Sequence, residues 1–220
     1  MHWFTTGKTV LGTLGIVVLL VLLGAAEGDI TDQFGEGKIG TLLSGILLAL
    51  IGLTNFRIYQ ARRTARRFSL SAPESLWLML SLAFAFLFLD ETFQIHEALD
   101  QIIHRITGTT ETALTDRIDD LIILAYGLIG IAILLFHRHE VTRIPLLTSF
   151  LVGGFLLTVV QTGFDAMTNG DDPFSWLGLS GAQTESIYIR ASLAEEALKL
   201  FAEAVLLAGF AHALRYVRSS

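Results

Sequence analysis

The stretch LDETFQIHEALDQIIH, residues 89–104, decides how this chain is read. It follows an apolar run, residues 76–89, of the kind that crosses a bilayer. Within it stand Asp90, Glu91, His96, Glu97, Asp100 and His104, with Arg105 immediately beyond. On a helix at about 100° per residue, Asp90, Gln94, Glu97, Asp100, Gln101 and His104 fall within an arc of roughly 120°. His96 lies at the edge of that arc and Glu91 off it, while Ile95, Ala98, Leu99, Ile102 and Ile103 take the opposite face. The pattern predicts a membrane helix that continues outward with a carboxylate–imidazole stripe. Ionisable groups near hydrocarbon are costly and normally face a bundle interior, a partner or water. We therefore read the rest of the chain as the means of burying the stripe.

Composition agrees. The chain has 220 residues, 52% hydrophobic and 16% charged, well under the usual quarter. Mean hydropathy is +0.60. Such a chain is expected to be an all-α polytopic membrane protein, one integral-membrane domain over residues 1–220. The absence of cysteine excludes disulfides, thiolate metal sites, iron–sulfur clusters and a Cys nucleophile. Neither an internal repeat nor a low-complexity tract is visible.

Six spans are expected, at about 10–26, 39–59, 75–95, 118–136, 145–165 and 187–216. The first is read as an uncleaved span, although Gly24-Ala25-Ala26 resembles a signal-peptide cleavage site. Gly12 and Gly15 in it suggest close helix contact, as do Gly45 and Gly52, seven apart on the second. An acidic connector with Asp29, Asp32 and Glu36 separates those two. Pro73 opens the third span and Pro145 the fifth. Asp116, Asp119 and Asp120 suit the N-terminus of the fourth. Residues 107–115 read as a polar turn, 137–143 as a short basic loop and 169–173, NGDDP, as a turn. Phe174 and Trp176 suit a lipid interface. His2, His137, His139 and His212 are read as interface or loop residues.

Orientation follows from the cations. With the amino terminus inside, the inner segments hold Lys8, Arg57, Arg62, Arg63, Arg66, Arg67, Arg138, Arg143, Arg215 and Arg218. The outer segments hold Lys38, Arg105, Arg117 and Arg190. The positive-inside rule then puts both termini in the cytoplasm and the acidic stripe toward the outer face. The arginine run at 62–67 is read as a loop on anionic lipid, not as a nucleic-acid contact.

A second constellation, EEALKLFAE at 195–203, lies in the sixth span. Glu195, Glu196, Lys199 and Glu203 share an arc of about 100°, and Glu195–Lys199 and Lys199–Glu203 are i,i+4 pairs. Asp90 and Glu91 lie roughly 25 Å along their span, and Glu195 and Glu196 roughly 10 Å into theirs from the outer side. In a core about 30 Å thick the two groups meet at similar depth. Asp119 and Asp120 start the fourth span near that level, and Gln161 and Asp165 end the fifth there.

Three readings compete for this polar centre. In the first, Asp90, Glu91, His96, Glu97, Asp100, His104, Glu195 and Glu196 bind a divalent metal such as Zn, Mn or Fe. Glu97 or Glu196 would then be a general base in membrane-embedded hydrolytic chemistry, with redox chemistry an alternative. In the second, the same groups form a proton or cation path. In the third they only pin the bundle, which serves as an accessory subunit among other membrane subunits. Asp119, Asp120, Asp165, Lys199 and Glu203 are read as a structural network in each case. Whether the chain is an enzyme stays open. HisGluAlaLeuAsp at 96–100 lacks the second His of a zinc-protease HExxH helix. Nucleophile-elbow, aspartyl-protease and phosphate-loop motifs are absent.

LDETFQIHE at 89–97, AspAsp at 119–120 and EEALK at 195–199 resemble a group of uncharacterised bacterial polytopic membrane proteins. These share an Asp-[Asp/Glu]-x4-His-Glu helix and a late Glu-Glu-x-x-[Lys/Glu] helix. The resemblance implies a bacterial inner membrane and no particular activity.

Overall fold

Apolar runs fold as helices because a backbone taken out of water must satisfy its own N–H and C=O groups, and a helix does so within one segment. A computed structural model describes residues 3–27, 32–34, 38–63, 69–108, 118–168 and 181–219. In chain order these form α1 (Trp3–Glu27), a single 3-10 turn (Asp32–Phe34), α2 (Ile39–Arg62), α3 (Ser75–Phe93), α4 (Ile95–Thr107), α5 (Ile118–Phe136), α6 (Arg138–Arg143), α7 (Leu147–Thr168) and α8 (Gly181–Ser219). The described residues contain no strand. Four helices are long and apolar enough to cross a membrane: Ile39–Arg62, Ser75–Phe93, Leu147–Asp165 and Gln183–Ser219. Leu11–Ala26 and Leu121–Phe136 are shorter apolar helices.

The mast of the bundle is α8, whose 39 residues rise about 58 Å. Against it pack α1, α2 and α7, while α2 also carries α3 on its flank. One core cluster joins Ile51, Ile58, Trp77, Leu80, Ile144 and Phe210 across α2, α3, the α6–α7 link and α8. A second joins Val17 and Leu20 of α1 to Leu47 and Leu200. Phe84 meets Phe210 edge to face at 5.8 Å and Glu91, farther along α3, meets Lys199, earlier on α8, so the two helices run antiparallel. Helices α7 and α8 approach closely: a Cβ on Gly209 would stand 2.5 Å from Phe150 Cβ. Gly45 and Gly52 both face α3, but Gly12 and Gly15 meet no other helix, since a Cβ at either would enter open space.

Two elements depart from the sequence reading. The third span does not continue as one helix to His104. It stops at Phe93, Gln94 takes the left-handed conformation at φ 51° and ψ 48°, and α4 begins at Ile95. The Gln94 N–H still donates to Asp90 O at 2.7 Å, so the break closes the last turn of α3 cleanly. Residues 138–143, read as loop, form α6, whose Glu140 and Val141 are buried. Readings at 28–31, 35–37, 64–68, 109–117 and 169–180 lie outside the described residues, as do the side chains of Asp119 and Asp120.

Candidate functional site

The break at Gln94 creates the first part of the site. Asp90, in the last turn of α3, is 6% exposed. Its Oδ1 accepts from the His96 backbone N–H at 2.9 Å, and its Oδ2 stands 2.8 Å from His96 Nδ1. The first N–H groups of a helix lack partners within it, so a carboxylate there satisfies one and meets the positive helix end. The same carboxylate orients the ring. Because a carboxylate oxygen only accepts, Nδ1 must carry the hydrogen, and in a neutral ring the lone pair is on Nε2. Glu97 Oε1 lies 3.9 Å from that Nε2, beyond a hydrogen bond, and accepts from Gln94 Nε2 at 3.1 Å. Two turns farther, His104 is buried and its Nε2 lies 3.3 Å from Asp100 Oδ1.

The polar face of α4 thus turns inward. Its apolar face, with Leu99, Ile102 and Ile106, is exposed. Across from it stands α5. Its Tyr126 meets Phe86 edge to face at 5.1 Å. The Tyr126 hydroxyl is buried and has no hydrogen-bond partner among the described residues.

The second part lies between α3 and α8. Lys199 Nζ is 3.3 Å from Glu91 Oε1 and 3.0 Å from Glu196 Oε2. The partners that hold Lys199 are thus one i,i+3 residue and one on a neighbouring helix, where the sequence pattern pointed to the i,i+4 pairs with Glu195 and Glu203. Lys199 reaches back to Glu196, three residues earlier, and across to α3, because helical side chains lean toward the N-terminus. Glu203, 7% exposed, instead accepts from Ser44 Oγ of α2 at 2.7 Å. Glu195 receives a long contact, 3.5 Å, from Gln161 Nε2 of α7. Asp165 follows Gln161 by one turn and is half-buried. Ser44 and Gln161 thus belong to the network; the depth of Gln161 along its span pointed to it, and nothing pointed to Ser44.

Of the eight residues read as metal ligands, Asp90 and His96 pair with each other, Asp100 with His104, and Glu91 and Glu196 with Lys199. Among the described residues no three His, Asp or Glu side chains converge on a point that could hold a metal ion. The donor chemistry suits a metal; among the described residues two carboxylate–imidazole pairs form, and Glu91 and Glu196 stand on Lys199.

A family model described as a domain of unknown function, DUF8692, matches residues 13–214. The chain belongs to this family. The match spans both the Asp90–His96 pair and the Lys199 network. No curated protein and no solved structure matches the chain.

A third polar cluster, missed in the sequence, lies at the other end of the bundle. Glu140 of α6 accepts from Arg62 Nη2 of α2 at 2.9 Å and from Trp77 Nε1 of α3 at 3.2 Å. Beside it His137, read as an interface or loop residue, is buried, with Nε2 3.0 Å from Ser75 Oγ. The one signal was an acid, Glu140, set among the cations of HRHEVTR.

Proposed function

We propose that this chain is a six-span protein of the bacterial inner membrane, with both termini cytoplasmic, that passes protons through the Asp90–His96 pair. The four long apolar helices supply four crossings, and the apolar helices Leu11–Ala26 and Leu121–Phe136 extend to two more. Outward-facing Leu121, Leu124, Leu128 and Leu156 suit contact with lipid acyl chains. The Asp-Glu-x4-His-Glu motif, here divided between α3 and α4, and the late Glu-Glu-x-x-Lys helix fit the bacterial group named above.

The observation that carries the reading is the double hold of Asp90 on His96. It fixes the ring with an Nε2 lone pair beside Glu97, the arrangement needed to take a proton and hand it on. Buried carboxylate–imidazole chains are the usual material of such paths. Lys199 serves as the counter-charge that holds Glu91 and Glu196 between α3 and α8. A metal-ligating His also donates its second nitrogen to a carboxylate, so the pair alone suits a metal as well. Pairwise engagement of the remaining donors favours proton exchange, and we assign Glu97 and Glu196 no catalytic step.

Vesicles holding the purified protein test this, with a pH gradient imposed and a pH-sensitive dye inside. The wild type should dissipate the gradient faster than empty vesicles, and Asp90→Asn and His96→Gln should fall to the empty-vesicle rate. Equal rates for wild type and both variants would refute the proposal.

A further inference from the structure

The basic end of the bundle carries a feature that proton transfer does not use. Arg215, near the end of α8, has two buried nitrogens, Nε and Nη2, with no hydrogen-bond partner among the described residues. These two nitrogens form one edge of the guanidinium fork, the edge that grips two oxygens of a carboxylate or phosphate at once. Among the described residues no carboxylate bonds to these two nitrogens. Glu140 is held by Arg62 and Trp77. Glu74 is the other acid of this end among the described residues, and it lies on the approach to α3.

The surroundings point to an anion from outside the chain. His212, one turn before Arg215 on the same face of α8, has Nε2 2.9 Å from Pro145 O. That contact puts the face at the link between α6 and α7. Arg143 stands just before this link and Arg218 one turn beyond Arg215, both exposed. The link itself is unusual. Ile144 and Leu147 are buried at 2% and 1%, but Leu146 between them is 51% exposed. Leu146 also sits in the left-handed region at φ 64°, a conformation costly for a residue with a side chain. Strain held at a surface position, pushing an apolar side chain outward beside cations, is a reason to look for a ligand.

We propose that the α6–α7 link and the last turns of α8 form a binding site for the phosphate headgroup of an anionic phospholipid. Arg215 turns its fork to the phosphate, Arg143 and Arg218 flank it, and Leu146 enters the acyl region beside the headgroup. The lipid is favoured over free phosphate because only a lipid explains an apolar side chain presented next to the arginines.

The test uses full-length protein in detergent, incubated with phosphatidylglycerol or with phosphatidylcholine, and reads lipid retained after gel filtration. Phosphatidylglycerol should be retained preferentially. Arg215→Gln should weaken that retention about tenfold, and Arg215→Lys should lie between, keeping the charge without the fork. Should Arg215→Gln not fold, the exposed Arg143→Gln and Arg218→Gln variants read the same site, each with a loss of about fivefold. Arg105→Gln, at the other end of the bundle, should change nothing. Full retention by the Arg215, Arg143 and Arg218 variants would overturn the proposal, as would an equal loss in Arg105→Gln. Displacement of the lipid by inorganic phosphate alone would overturn the lipid assignment.

Discussion

Asp90 closes the last turn of α3 through its backbone carbonyl, while its buried carboxylate accepts the second N–H of α4 and holds the His96 ring. Asparagine is its near-isostere but can turn an NH2 toward the ring. Asp90→Asn should therefore release the Nδ1–H tautomer of His96, which 15N NMR of the imidazole reads directly. The same variant should cost about 1–3 kcal/mol of stability, the scale for a buried hydrogen bond to a charged group. An unchanged His96 spectrum in Asp90→Asn would show that the pair does not exist. Which residues are ionisable inside apolar runs was plain from the sequence, because each is conspicuous there. Which oxygen meets which nitrogen was not. Lys199 had carboxylates three, four and four residues away, and the choice of Glu196 with Glu91 depended on side-chain direction and on α3 lying alongside. Ser44 gave no sign, because a lone serine in a membrane helix usually satisfies its own backbone.

At the scale of elements, the apolar runs located the helices, although α1 and α8 begin several residues before the apolar stretch does. The break at Gln94 was invisible because LDETFQIHEALD has neither Gly nor Pro and reads as continuous helix. Its cause is tertiary: Asp90 gains a ring and a backbone partner only if α4 starts afresh. The two geometries make opposite predictions for glycine. In a continuous helix Gln94→Gly would cost about 1 kcal/mol. At a left-handed residue it removes a strain of about 1–2 kcal/mol against a chain-entropy cost of about 0.5–1 kcal/mol. We expect Gln94→Gly to be neutral or stabilising in thermal unfolding. Gln94→Val should lose at least about 1 kcal/mol, since a β-branched side chain resists this region most. A destabilised glycine variant would restore the single long helix. The helix α6 escaped notice for another reason: six residues of HRHEVTR are too short to show a period, and only Glu140 anchors them.

For the whole molecule, α8 joins two polar ends of opposite character. Toward its middle it presents Glu195, Glu196, Lys199 and Glu203 to α2, α3 and α7, and at its end it presents Arg215 and Arg218. Apolar clusters fill the length between, so the polar centre is positioned by helices that pack for other reasons. Through Glu91 and Lys199, at 3.3 Å, α3 and α8 are tied directly beside the Asp90–His96 pair. A double-mutant cycle reads this tie: thermal unfolding in lipid–detergent micelles of Glu91→Gln, Lys199→Met and the double variant. The two losses should overlap, with a coupling of about 1–3 kcal/mol, because either substitution alone strands a partly buried charge. Losses that add to within about 0.5 kcal/mol would mean that the two side chains do not meet and that the polar centre is not assembled between these helices.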